Sequence, residues 1–248
     1  MIDDTALNPQ ELNQKTTEEL KQELLQLTQN KDSQPLKQKV QFYQEYLAPI
    51  VTELSQRNPF PQVEEQVPLI LGVWKSVFST IPFQDSLPGR LPEQSYQIFH
   101  DNGFYANMAR YAPGNKLKFG WLQKLASVFL AFDLMIVQKY QIKEDEWLIE
   151  NIAIKQALRW QGIPLSIEKA DNWFTKVVKS YSQNTETANT YTQVELKNLD
   201  SSTAKKYKTA LGATPEFEHL YIDNDFRVVR SRRQAKQRNS YTIAVRIK

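Results

Sequence analysis

The feature that most restricts the fold is a series of strand-forming segments joined by short polar turns, starting after Pro68. Residues 94–100 and 104–111 flank Asp101-Asn102-Gly103, and Asn-Gly has the left-handed preference of a type I′ turn, so the pair reads as a hairpin. Residues 69–80 read as an earlier strand, with Trp74 and Phe78 on one face. Residues 127–140 and 147–158 are further candidates; the second alternates Leu148, Glu150, Ile152 and Ile154 against Trp147, Ile149, Asn151 and Ala153. Residues 217–222, 226–232 and 241–247 close the series, with Asp223-Asn224-Asp225 as a turn. Many strands joined by short turns imply a closed or nearly closed antiparallel barrel, because closure removes exposed strand edges.

Helical patterns lie before and inside this series. Thr16-Thr17-Glu18-Glu19 has the form of a capping box and precedes Leu20, Leu24 and Leu27 at helical spacing. After a break at residues 30–35, Leu36, Val40, Tyr43, Leu47, Ile50 and Leu54 form a second apolar stripe, which Pro49 should kink. Residues 1–15 read as a frayed tail, and Asn58-Pro59-Phe60-Pro61 as a rigid connector. Ile167, Ala170, Phe174, Val177, Val178 and Tyr181 give another helix, and residues 201–211 a shorter one ending at Gly212. The expected organisation is therefore α+β: an N-terminal helical segment over 1–62, then a barrel domain over 63–248 with a helical insertion around 163–212.

Composition removes several classes of chemistry. The chain has no cysteine, which excludes disulfides, thiol nucleophiles and cysteine-built metal sites. It has two histidines, His100 and His219, too few for a His-rich metal site, and no metal or cofactor is expected. No nucleophile elbow accompanies the available Ser, Asp and His residues, so no catalytic residues are assigned and an enzyme is not expected. Glu144, Asp145 and Glu146 read as a solvated turn rather than an acid–base pair. The longest apolar stretch, residues 128–137, contains Asp133 and is about half of the ~20 residues a membrane-spanning helix needs, so no transmembrane segment is expected. The acidic opening, Met1-Ile2-Asp3-Asp4, lacks the order of a signal peptide, and the absence of cysteine is compatible with a reducing compartment.

The net charge of +3 is unevenly spread. From Arg227 to the end the chain carries eight Arg and Lys residues and no acid. Arg232, Arg233 and Lys236 are candidates for contact with an anionic membrane surface. Nucleic acid is not expected, since no recognition helix or RNA-binding aromatic motif accompanies the cations.

Two stretches carry a family resemblance. Leu54-Ser55-Gln56-Arg57-Asn58-Pro59-Phe60-Pro61 is followed by a strand with Gly72-Val73-Trp74 that ends in Phe78-Ser79-Thr80. Near the other end stands Tyr221-Ile222-Asp223-Asn224-Asp225-Phe226-Arg227-Val228-Val229-Arg230. In order and spacing the two resemble the plastid lipid-associated protein (fibrillin, or plastoglobulin) family of plastids and cyanobacteria. The resemblance covers both edges of that family's domain and leaves residues 113–215 unaligned. The cationic Ser231-Arg232-Arg233-Gln234-Ala235-Lys236 replaces the family's usual hydrophobic ending.

The resemblance implies a lipocalin-like barrel, cytoplasmic or peripheral on a cyanobacterial thylakoid, that binds or organises lipids, quinones or carotenoids in photoprotection. On that reading Gly72, Trp74, Tyr221, Asp223, Asp225, Arg227 and Arg230 close the barrel, and Arg227 or Arg230 stacks on Trp74. Asp223 and Asp225 are also expected to fix the turn and pair with Arg227. The candidate lining is Trp74, Phe78, Tyr96, Phe104, Met108 and Tyr111. These aromatics serve equally to fill a packed core. Two alternatives stay open: a lipocalin-like bilin lyase, which covalent transfer of bilin to an apo-phycobiliprotein would identify, and an interaction module whose barrel is filled by its own side chains.

Overall fold

The computed structural model describes residues 9–82, 89–112, 130–183, 216–232 and 237–247. After a short helix α1 (Pro9–Leu12), α2 (Thr17–Thr28) starts where the capping box places it. Thr16 Oγ1 accepts from the Glu19 N–H, and the Glu19 carboxylate accepts from the Thr16 N–H, so two otherwise unpaired helix-start donors are satisfied. The second apolar stripe forms one long helix in three parts: α3 (Leu36–Phe42), a π-helical turn (Tyr43–Leu47) and α4 (Ala48–Gln56). Pro49 has no N–H to give to the preceding turn. The backbone accommodates it by widening: Ala48 N–H donates to Tyr43 C=O, five residues back. The tail is not wholly frayed, since Leu12 is buried and Arg57 Nη1 donates to Lys15 C=O at 2.6 Å.

Residues 63–67 continue into a helix that the strand reading of 69–80 misses. Helix α5 (Val63–Ile70) contains Pro68, and the first strand begins only at Gly72. The strands are β1 (Gly72–Ser79), β2 (Arg90–Phe99), β3 (Phe104–Tyr111), β4 (Leu130–Lys143), β5 (Glu146–Trp160), β6 (Glu216–Ile222), β7 (Phe226–Arg232) and β8 (Ser240–Arg246). A further helix α6 (Ile167–Gln183) lies between β5 and β6. The short helix expected at 201–211 falls outside the described residues. Each strand pairs antiparallel with the next and β8 pairs back to β1, so the eight strands close into a ring and the chain is α+β. The β5–β6 seam is the shortest, with only Trp147↔Phe217 and Leu148↔Glu216 in register among the described residues.

Two turns differ from expectation. The Asn102-Gly103 connection is not type I′, since only Gly103 takes a positive φ; Asn102 instead accepts the Phe104 N–H with its side chain. The two-residue turn with both φ values positive is Glu144-Asp145, between β4 and β5. The strands holding the two motifs are also not neighbours, because β8 lies between β1 and β7.

The outside of the ring is covered twice. On one side Leu20, Leu24, Leu47, Ile50 and Leu54 pack against Phe78, Tyr221, Phe226, Val228 and Ile243. On another, Ala170, Phe174 and Val178 of α6 pack against Tyr96, Ile98, Ala106, Met108, Met135 and Val137. Full burial of each large apolar side chain contributes roughly 1.5–3 kcal/mol. Polar ties fix both covers. Asp32, between α2 and α3, accepts from Ser79 N–H at 2.8 Å and Arg90 Nη2 at 2.7 Å, and Tyr96 donates to Leu165 C=O at 3.0 Å.

Candidate functional site

One end of the ring is shut by residues from β1, β8 and α5. Gly72 has φ +103°, and a Cβ there would come within 3.1 Å of Arg246 Nη1, so glycine suits both the backbone and the close approach. Arg246 Nη1 donates to Leu71 C=O at 2.5 Å, and the same guanidinium also donates to Leu69 C=O and Asn224 C=O. Its carbon lies 4.3 Å from the Trp74 ring centre, and Trp74 Nε1 donates to Ile70 C=O at 2.8 Å. Phe99 stacks on Tyr105 at 4.6 Å, and Trp147 on Phe217 at 5.0 Å. This end is packed solid.

Immediately inside it lies a buried cation. Arg227 is 1% exposed, and its guanidinium carbon sits 4.7 Å from the Trp74 ring centre and 4.8 Å from that of Phe99. Reaching from β7 past β8 to β1 and β2 is geometrically a cross-ring contact, which identifies this face of the strands as the inward one. Arg227 Nη2 donates to Gln97 Oε1 at 2.5 Å, and Nη1 faces His219 Nε2 at 3.4 Å. His219 Nδ1 must donate to Gln66 Oε1, 3.0 Å away, which leaves Nε2 as the acceptor for Arg227. Burial, with the neighbouring Arg227 charge, holds the His219 pKa well below its usual value, so the ring is neutral. Burial, with the Arg246 charge, lowers the Arg227 pKa to about 9, so the group is charged at neutral pH. Among the described residues no carboxylate pairs with it, and its Nε has no hydrogen-bond partner.

A chain of amides continues from Arg227 along the inner wall. Gln97 Nε2 donates to Asn107 Oδ1 at 2.7 Å, Asn107 Nδ2 to Gln138 Oε1 at 2.5 Å, and Gln138 Nε2 to Asn151 Oδ1 at 2.7 Å. Gln97, Asn107 and Gln138 each give and take, so this stretch of wall is polar yet internally bonded. Beside and beyond this belt the inward face mixes the apolar Ala109, Leu134, Ile136, Ile154 and Val229 with the polar Ser95, Gln156 and Thr242 in register with them.

Burial on the inward face of the ring is mixed: Ser76, Leu134, Ile154, Thr242 and Ala244 are buried. The inward residues Gln97, Asn107, Ala109, Ile136, Asn151 and Val229 keep partial exposure, while the outward Tyr96, Ile98, Ala106, Met108, Met135 and Val137 are buried beneath α6. Solvent thus touches part of the inner wall beside the amide belt, while Arg227 at the closed end stays buried.

The expected lining is largely on the other face. Trp74 and Tyr111 point inward, Tyr111 stacking on Phe132 at 5.4 Å. Phe78, by contrast, packs outward beside Phe42, 6.2 Å away. A bulge between Ser76 and Phe78 inserts one residue and reverses the alternation, so Trp74 and Phe78 do not share a face. Tyr96, Phe104 and Met108 also face outward, with the α6 cluster.

The closing motif divides its work. Asp223 Oδ1 accepts from the Asp225 and Phe226 N–H groups, Tyr221 donates its hydroxyl to Asp223 Oδ2 at 2.8 Å, and Lys21 bonds the same oxygen at 2.8 Å. This makes a turn docked to α2. The Lys21 ammonium and the hydrogen bonds hold the Asp223 pKa below its usual value against the opposing effect of burial. Neither Asp223 nor Asp225 pairs with Arg227; the Asp225 carbonyl takes the Arg246 N–H at 2.8 Å. Arg227 stacks on Trp74 as expected of one of the pair, whereas Arg230 faces outward and bonds Glu218. Arg246 adds a second cation over the ring that sequence reading misses. Of the membrane-surface candidates, Arg232 is paired with Glu216 at 2.8 Å, and Arg233 and Lys236 lie outside the described residues. His100 binds Asp171 at 2.7 Å and ties α6 to the ring. Among the described residues no helix is long and apolar enough to cross a membrane, and no cluster of three or more metal-type ligands occurs.

No protein-family model matches the chain, and no curated protein matches it.

Proposed function

We propose that this chain is a lipocalin-like, non-enzymatic binder of apolar small molecules (lipid, quinone or carotenoid) of the plastid lipid-associated protein type. The observation that supports the reading is the partial exposure of apolar inward side chains at Ala109, Ile136 and Val229. Leaving such surface wet in the ligand-free protein is unfavourable by about 25 cal/mol per Å², and a guest that covers it recovers that free energy less its own ordering cost. The Gly72, Trp74 and Arg246 cluster at the shut end supports the lipocalin-like part of the reading.

The proposed setting is the surface of a cyanobacterial thylakoid, with a role in photoprotection. Because Glu216 and Glu218 neutralise Arg232 and Arg230, attachment to an anionic membrane on this reading depends on Arg233 and Lys236. Titration with decyl-plastoquinone, followed by quenching of tryptophan emission, tests the binding reading. Trp74 and Trp147 face inward, so saturable quenching at one equivalent is expected. Quenching that never saturates would refute it.

A further inference from the structure

We propose that the chamber takes an amphipathic monocarboxylate, with Arg227 as the counter-ion of the ligand's carboxylate and the apolar inner wall as the seat of its tail. The inference rests on the binding reading above and names the ligand class. A guanidinium that is 1% exposed normally faces a carboxylate, because an unpaired buried charge is costly. Arg227 has only neutral partners among the described residues: Gln97, His219 and two aromatic rings. Its Nε is a buried donor without an acceptor.

A second orphan lies at the same level. Arg227 is in register with Ala244, and Ala244 with Ser76, whose Oγ is also buried and unpartnered. A guanidinium edge and a hydroxyl, both on the inward face and both without a partner, match the two oxygens of a carboxylate. One positive charge balances one negative charge, whereas the second charge of a phosphate monoester would meet only Arg246, whose Nε, Nη1 and Nη2 already donate to carbonyls. Neutral His219 accepts from Arg227 and so holds the guanidinium in place without competing for the anion. Beside and beyond the amide belt, Ala109, Ile136 and Val229 supply apolar surface for a hydrocarbon tail.

The test uses the full chain with cis-parinaric acid and its methyl ester, which share a tail and differ in the head charge. At neutral pH the acid should bind at least about ten-fold more tightly than the ester, as expected for charge-assisted hydrogen bonds at a dry site. Arg227→Met should abolish that preference while ester binding persists, and Arg227→Lys should retain part of it. Competition should favour dodecanoate over dodecyl phosphate. Equal binding of acid and ester to the unmodified protein overturns the counter-ion role while leaving an apolar chamber in place. A preference that survives Arg227→Met, or stronger competition by the phosphate, also overturns it. If neither acid nor ester binds, the binding reading fails along with it.

Discussion

Replacing His219 with Gln should make the protein less sensitive to acid. His219 is 4% exposed, donates from Nδ1 to Gln66 and faces Arg227 through Nε2. A proton on Nε2 would bring a second positive charge against a guanidinium that no carboxylate among the described residues balances, so the folded protein keeps the ring neutral. The unfolded chain protonates it near pH 6.5. Below that value the unfolded state binds a proton that the native state does not. Stability contributed by the depressed pKa is therefore complete above the unfolded value and is lost as the pH falls through it. From about pH 7.5 to about pH 5.5 the loss amounts to roughly 1.4 kcal/mol. Glutamine can donate to Gln66 and accept from Arg227, and it does not titrate. Urea denaturation of both proteins across this window should show the unmodified chain losing about 1.4 kcal/mol more than His219→Gln. Parallel stability–pH curves would refute the neutral, Arg227-facing assignment.

Trp74→Ala should cost about 3–5 kcal/mol in urea denaturation, since it removes a fully buried indole, its bond to Ile70 C=O and the ring beneath two guanidinium groups. A loss below ~1 kcal/mol would mean that Arg246 and α5 shut this end without it. Phe174→Ala should cost a similar amount, about 3–5 kcal/mol, and speed hydrogen exchange in α6, because Phe174 is the fully buried anchor between that helix and the outer face of β2 and β3. Unchanged exchange in α6 would contradict that placement.

Local signals in the sequence were reliable where one short-range interaction decides the outcome. Thr16 and Glu19 define the start of α2 through bonds three residues apart, and the polar triplet at 223–225 makes its turn with its own carboxylate. The strands after Gly72 follow from alternation. Which face is inward does not. Helices cover the outside of the ring, so both faces of β2, β3 and β4 carry apolar residues, and hydrophobicity alone selected Tyr96 and Met108 over their inward neighbours. The polar positions on those strands, Gln97, Asn107 and Gln138, were the available signal, because amides on otherwise apolar strands need partners and find them in one another. The reversal at Phe78 had no such signal, since a bulge depends on pairing with β8. Arg246 was likewise invisible in its role: apart from Asn224 C=O, its guanidinium contacts are carbonyls and an indole more than 170 residues away in sequence, and nothing local marks it.

The most direct test of the central claim, a solvent-reachable chamber inside the ring, is photo-crosslinking with a neutral alkyl diazirine and peptide mapping of the adducts. The account predicts saturable labelling at the inward Ala109, Ile136 and Val229, lost when excess decyl-plastoquinone is present. Adducts confined to the outward Phe78, Tyr96 and Met108, or to the exposed Leu158 and Trp160, would contradict it.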